Sequence, residues 1–157
     1  ILDIIERFSS RDIAVRFIEY MDVGTTNGWS LDDVVSASEI RDMIGDIERI
    51  IPENNSDVAK RYKLLNGGEV GIISSVTEPF CGDCTRARIS SDGRLFTCLF
   101  SNNGLDLLSP IRAGHTDPYI RDLIREHWIK RQDRYSEERS LNSSKTSERV
   151  EMSYIGG

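Results

Sequence analysis

The chain has 157 residues, 20 Lys+Arg against 26 Asp+Glu, and a formal net charge of −6. That length allows one domain or at most two small ones, and 38% hydrophobic with 29% charged residues excludes wholesale disorder. The apolar runs fall far short of the roughly 20 residues of a membrane span, no export signal is visible, and an odd count of three Cys suits a reducing, cytoplasmic setting better than a disulfide scaffold.

Charge is unevenly spread. Residues 1–59 carry 5 basic and 13 acidic side chains, whereas residues 60–157 carry 15 and 13. The acidic front half argues against a nucleic-acid binder. The mildly basic rear half holds every Cys, so an anionic ligand is expected there.

Ile1, Ile4, Ile5 and Phe8 fit one face of a helix. The chain starts inside that pattern and without Met, which reads as the C-terminal part of a longer protein, a processed N-terminus being the alternative. Ser9–Asp12 is expected to be a loop. Ile13–Met21 then reads as a strand buried on both faces, because apolar residues fill both parities. Arg16 and Glu19 interrupt it, and a charge in a buried strand needs a partner or a ligand. Helix followed by such a strand is half of a βαβ repeat, which points to a parallel sheet or barrel with sites at the strand ends. Asp22–Gly28 is a loop of that kind.

Ser36-Ala37-Ser38-Glu39 has the spacing of a capping box, with Ile40, Met43, Ile44, Ile47 and Ile51 following at helical spacing up to Pro52. Glu53–Asp57 is a polar linker. Lys60–Leu65 and Glu69–Val76 flank Asn66-Gly67-Gly68, a hairpin signal. A second hairpin is expected from Arg86–Ser90 and Arg94–Phe100 around Ser91-Asp92-Gly93. Ser109–Gly114 is a short loop or helical turn. Asp117 is placed as N-cap of a helix with Pro118 behind it and one face made by Ile120, Leu123, Ile124, His127 and Trp128. Gln132–Glu151 turns polar and reads as a solvated or extended tail. Met152, Tyr154 and Ile155 restore apolar character just before Gly156-Gly157, which suits a docked end and presents a thin, flexible carboxylate; a frayed end is the plainer reading.

The strongest local chemistry is Cys81-Gly82-Asp83-Cys84 with Cys98 thirteen residues beyond. Folding back around Ser91–Gly93 pairs residues whose numbers sum to about 184, which sets Cys98 opposite Arg86 or Ala87 and beside Cys84. Three thiolates suit zinc, an iron–sulfur cluster or plain structural or redox thiols. His115 and His127 lack a convincing spacing for a fourth zinc ligand. Arg86 and Arg88 share a parity, so on a strand they point to one face and suit bidentate capture of carboxylate, phosphate or a nucleobase edge; a solvated charged face is the alternative.

Four stretches resemble one family. They are Arg16–Gly24 with Asn27-Gly28-Trp29; Phe80–Gly93 continuing to Cys98-Leu99-Phe100; Asp133-Arg134-Tyr135-Ser136; and Met152–Gly157. Together they are similar to the C-terminal half of the molybdenum cofactor biosynthesis protein A family, the radical S-adenosylmethionine GTP 3′,8-cyclases. The resemblance implies an α/β fold: a remnant of an incomplete, TIM-like α/β barrel over residues 1–52, then an α+β C-terminal region. That region has two β-hairpins and helices, with a cluster and substrate part over 53–131 and an extended tail over 132–157.

The resemblance also implies two 4Fe-4S clusters. The first is held by a CxxxCxxC motif in an N-terminal half and cleaves S-adenosylmethionine. The second is held by the residues that match Cys81, Cys84 and Cys98, and takes GTP at an open iron. Arg16, Arg86, Ala87 and Arg88 match GTP-contacting positions. Met21 matches a residue of the S-adenosylmethionine site, and Gly156-Gly157 match a tail that reaches into the active site. In the implied reaction a 5′-deoxyadenosyl radical abstracts the ribose 3′-hydrogen and the carbon radical attacks C8 of guanine. The cyclic product then passes to cyclic pyranopterin monophosphate synthase.

This sequence contains no CxxxCxxC, so alone it is expected to be inactive and to need the missing N-terminal barrel half. The cut edge of a parallel sheet invites a homo-oligomer. Neither nucleic acid nor membrane is expected as a partner. Two other classes stand beside this one: a zinc-binding interaction module using the three Cys and His115, and a ubiquitin-like sulfur carrier suggested by Gly-Gly.

Overall fold

The computed structural model describes residues 1–9, 13–52, 57–139 and 150–155. These form a mixed α/β structure in two compact units, one made of Ile1–Met21 and Trp29–Cys84, the other of Asp22–Gly28 and Thr85–Gly157.

In the first unit, helix α1 (Leu2–Phe8) leads to strand β1 (Val15–Ile18), and helix α2 (Ala37–Ile44) leads to β2 (Ile47–Arg49). Strands β3 (Lys60–Leu64) and β4 (Glu69–Ile73) follow as the expected hairpin around Asn66-Gly67-Gly68. The sheet order is β1-β4-β3-β2, with β1 parallel to β4 and the other pairs antiparallel. Asn66 Oδ1 accepts from the Gly68 amide at 3.0 Å, and Gly67 takes φ +84°, a left-handed turn conformation that favours glycine.

Period-two alternation sorts this sheet into two faces. Val15, Tyr62, Leu64, Val70 and Ile72 are buried in one cluster with Ile5 of α1 and Ala37 and Ile40 of α2. Each fully buried aliphatic side chain there contributes about 1.5–3 kcal/mol. The opposite parity carries Arg16, Gly71 and Arg61 side by side in register. The expectation of a strand buried on both faces is therefore corrected. β1 is an edge strand covered by helices on one face, and Ile18 is 56% exposed.

The capping box is present as read: Glu39 N–H donates to Ser36 Oγ at 3.2 Å and Ser36 N–H to Glu39 Oε2 at 2.8 Å. The helix ends earlier than its apolar spacing suggested. Gly45 adopts φ +83° and stops α2, so Ile47 belongs to a strand and Ile51 lies 85% exposed beyond it.

Glu19 ties these pieces together. The residue is 2% exposed, and its backbone N–H continues the β1–β4 ladder by donating to Ile73 O at 3.1 Å. Its carboxylate accepts from the amides of Ala37 at 2.8 Å, Val76 at 2.7 Å and Thr77 at 2.9 Å, and from the Thr77 hydroxyl. Ala37 is the first residue of α2, where exposed amides and the helix dipole favour a negative charge.

In the second unit, β5 (Arg88–Ile89), β6 (Arg94–Phe96) and β7 (Leu105–Asp106) form an antiparallel sheet in that order. Helices α3 (Leu108–Arg112) and α4 (Asp117–Ile129) follow. Thr116 rather than Asp117 is the N-cap of α4, one residue from the expected position, and Pro118 stands in its first turn. Leu95, Phe96, Leu107 and Ile155 are buried. No helix among the described residues is long and apolar enough to cross a membrane.

Replacing Glu19 by Ala leaves the Ala37, Val76 and Thr77 amides without their acceptor and is expected to lower stability by about 3 kcal/mol. A urea denaturation midpoint that shifts by less than about 1 kcal/mol equivalent would contradict the role assigned to it.

Candidate functional site

The residues singled out by sequence fall in both units. In the first, Arg16 is the second residue of β1 and Met21 lies three residues beyond its end. Arg16 faces away from the helices, and its partner across the ladder is Gly71. A Cβ at Gly71 would come within 3.2 Å of Arg16 Cγ and of Ala59 Cβ, so the glycine leaves the space along which the arginine stem runs. Arg61, the other neighbour of Gly71, forms a two-pronged bridge to Glu69, with Nε to Oε1 at 2.7 Å and Nη2 to Oε2 at 2.6 Å. That hydrogen bonding holds the Glu69 carboxyl below its usual range against the opposing effect of burial, and the charges of Arg61 and Arg16 add to it. The partner that sequence reasoning required for Arg16 is thus an arginine–carboxylate group on the open face.

Cys81 begins a short 3-10 turn, Cys81–Asp83, and Cys84 caps it, with Cys84 N–H donating to Cys81 O at 3.3 Å. The turn sets the two cysteines three residues apart on one tight bend of the first unit, both half-buried. The turn segment before it is fixed by Glu78. This carboxylate accepts from Arg41 Nη2 at 2.7 Å and Lys60 Nζ at 2.5 Å, and the Glu78 carbonyl accepts from Ser74 Oγ at 3.2 Å. The hydrogen bonds from Arg41 and then Lys60 outweigh burial and pull the Glu78 pKa down to about 2. The sequence reading passed over Glu78; its signal, an acid between two apolar segments just ahead of a CxxC, is too common to single out.

In the second unit the β5–β6 register pairs Arg88 with Phe96 and Ile89 with Leu95, the sum of 184 that the turn at Ser91–Gly93 predicted. Gly93 takes φ +77° there and Ser90 O accepts from its amide at 2.9 Å. Arg86 and Arg88 are half-buried, Ala87 is exposed, and Cys98 is half-buried two residues after β6. The ladder ends at Phe96, and Thr97-Cys98 is a bend. His115 stacks on Tyr119 with ring centroids 4.2 Å apart. Among the described residues no group of three or more His, Cys, Asp or Glu side chains is gathered closely enough to hold a metal ion. Gly156 and Gly157 lie outside the described residues.

Of the polar stretch after Gln132, Asp133, Tyr135 and Arg139 among the described residues 133–139 are packed rather than solvated as the composition suggested. Thr97 Oγ1 donates to Asp133, Tyr135 OH donates to Asp22 Oδ2 at 2.6 Å, and Arg139 Nε donates to Asp22 Oδ1 at 2.9 Å. Arg139 also lies over the rings of Phe100 and Tyr135, which stack at 4.6 Å. Burial pushes the Asp22 carboxyl up, but the Tyr135 hydrogen bond and the charge and hydrogen bond of Arg139 prevail and lower it. Tyr135 and Arg139 therefore secure the start of the loop Asp22–Gly28 within this unit.

Glu78 has a folded-state pKa below its ordinary value of 4.5. A depressed carboxyl contributes stability that is present above the unfolded value and lost as pH falls toward the folded one. Glu78→Gln is expected to be less stable at neutral pH and to show a shallower stability loss between about pH 4.5 and pH 2, read from urea midpoints across that range. Parallel pH profiles for the two proteins would exclude the bridge. Gly71→Ala is expected to cost about 1 kcal/mol, because the new methyl must displace Arg16 or Ala59. An unchanged melting temperature with unchanged Arg16 side-chain resonances would show that the space is not needed.

A family model described as Molybdenum Cofactor Synthesis C matches residues 13–137. A protein named GTP 3′,8-cyclase from Staphylococcus haemolyticus is 44% identical across all of this chain, which spans 48% of that relative. Relatives of the same name from Synechococcus and Xanthomonas campestris are 41% and 42% identical, over 94% and 100% of this chain and 44% and 47% of their own lengths. The chain spans about half the length of the curated relatives it matches, and the part matched is their C-terminal part. The chain thus belongs to the Molybdenum Cofactor Synthesis C family.

Proposed function

We propose that this chain is the C-terminal part of a GTP 3′,8-cyclase of molybdenum cofactor synthesis, and that it holds the second 4Fe-4S cluster and GTP. The observation that carries this reading is the match to proteins of that name over the whole chain at 41–44% identity. The donor chemistry supports it. Cys81 and Cys84 are joined by one tight turn, and Cys98 follows the hairpin whose first strand carries Arg88, with Arg86 two residues ahead of it.

In this reading Cys81, Cys84 and Cys98 bind as thiolates. Sulfur ligands without a fourth protein donor suit a four-iron cluster with one open iron. When bound, the cluster supplies that iron as a contact for the purine. The other work belongs to side chains. Arg86 and Arg88 neutralise the triphosphate through charge-assisted, two-pronged hydrogen bonds, with Ala87 between them leaving room for the nucleotide. Arg16, its stem running over Gly71 and its charge balanced by Glu69, adds a third guanidinium. The backbone at Met21 contributes to the S-adenosylmethionine site. The Gly156-Gly157 end, lacking side chains, enters the substrate pocket.

On the same reading β1 is a strand of the incomplete barrel, completed by the N-terminal half that carries the other cluster and S-adenosylmethionine. The chain alone then binds substrate and does not turn it over. Its exposed strand edge favours self-association when that half is absent. The product passes to cyclic pyranopterin monophosphate synthase.

Anaerobic reconstitution is expected to load about four iron and four sulfide per chain, and Cys84→Ala is expected to lose most of them. One zinc without sulfide would replace this reading by the zinc-binding module with His115. Incubation of the chain with GTP, S-adenosylmethionine and a reductant is expected to give no cyclised product, and turnover by the chain alone would overturn the division of labour.

A further inference from the structure

The segment Val150–Ile155 is held on the second unit at three points. Glu151 accepts from the Thr25 amide at 2.8 Å, the Thr25 hydroxyl at 3.1 Å and the Thr26 hydroxyl at 3.2 Å. Tyr154 OH donates to Asp92 Oδ2 at 2.5 Å, and its ring meets Phe96 edge-on at 6.3 Å. Ile155 is fully buried. The Thr25 hydrogen bonds keep the Glu151 carboxyl below its usual range, so it is charged at neutral pH. Gly24 completes the seat. It has φ +70°, and a Cβ there would overlap the Glu151 carboxylate.

The location gives this anchor its meaning. Thr25 and Thr26 belong to the loop Asp22–Gly28, which begins at the residue after Met21, and Ile155 is the residue before Gly156. One carboxylate thus joins the loop following one expected site residue to the segment preceding two others. Tyr154, through Asp92 and Phe96, and the buried Ile155 set the segment down on the sheet. The Glu151 carboxylate, with three donors converging on it, ties the same segment to the loop Asp22–Gly28.

We propose that Glu151 is a positioning residue. By seating Val150–Ile155 in one register on Gly24-Thr25-Thr26, it sets where Gly156-Gly157 are delivered. This role rests on the reading that the Gly-Gly end enters the substrate pocket. Glu151 touches neither substrate nor cofactor and acts only through the tail.

Two measurements test it. In this chain, Glu151→Ala is expected to raise the hydrogen-exchange rate of the Thr25 amide about tenfold or more, with the β3–β4 amides of Tyr62 and Val70 unchanged. Gly24→Ala is expected to do the same without altering the tail sequence. In the full-length cyclase, Glu151→Ala is expected to lower kcat about tenfold or more while the dissociation constant for GTP changes less than about twofold, with Glu151→Gln falling between it and the wild type. Unchanged Thr25 exchange in both variants overturns the anchor. Faster Thr25 exchange with wild-type kcat overturns the positioning role and leaves the proposed function standing. A wild-type full-length protein that does not convert GTP overturns the proposed function, and the positioning role with it, while the exchange data still judge the anchor.

Discussion

A buried carboxylate needs donors on every side, and Glu19 finds them on two separate segments, the start of α2 and Val76-Thr77. The first unit depends on this one residue. Through Ala37 it fixes the start of α2, and through Val76 and Thr77 it fixes the chain leaving β4. Its own position at the end of β1 fixes the run from Arg16 to Met21. Packing of Ile40 and Ile72 into the common core follows from where Glu19 puts their elements. The segment after Thr77 reaches Glu78 and then the Cys81–Cys84 turn, so the arginine strand and the thiol turn are referred to the same acid. Charged groups buried in this way are costly unless their lone pairs are used, and three of the four donors to Glu19 are backbone amides, which the fold holds in place.

Much of this arrangement was legible in the residues. Asn66-Gly67-Gly68 and Ser91-Asp92-Gly93 announced both hairpins because left-handed turn positions admit few residue types, and the second hairpin's register followed from its turn alone. The capping box at Ser36 was equally local. The overlong α2 shows the limit of periodicity: Ile47 and Ile51 continue a helical spacing by coincidence, while Gly45 stops the helix. For β1, apolar content described the strand but not what covers it, so one open face was read as buried.

Polar long-range pairs were the least visible. Asp22 and Arg139 stand 117 positions apart, and Thr25 and Glu151 stand 126 apart, in stretches with no apolar period to mark them as packed. Glu19 stands out because a lone acid interrupts an apolar run. Arg139 and Glu151 sit among other charges, where a committed side chain looks like any solvated one. The family resemblance singled out Asp133–Ser136 without a physical reason; Tyr135 donating to Asp22, and Thr97 donating to Asp133, supply one.

The excursion of Asp22–Gly28 into the second unit has a consequence for how such a protein can be divided or recombined. Seven residues from the front of the chain are built into a body otherwise made from its rear. Arg139, with its side chain only 10% exposed, has its acid on that loop. A gene cut after Cys84 therefore does not separate two modules. It deprives the rear one of Asp22 and leaves a buried guanidinium without its carboxylate. Exchange between homologues has to carry the loop and residues 133–155 as a matched set, although more than a hundred residues of sequence lie between them.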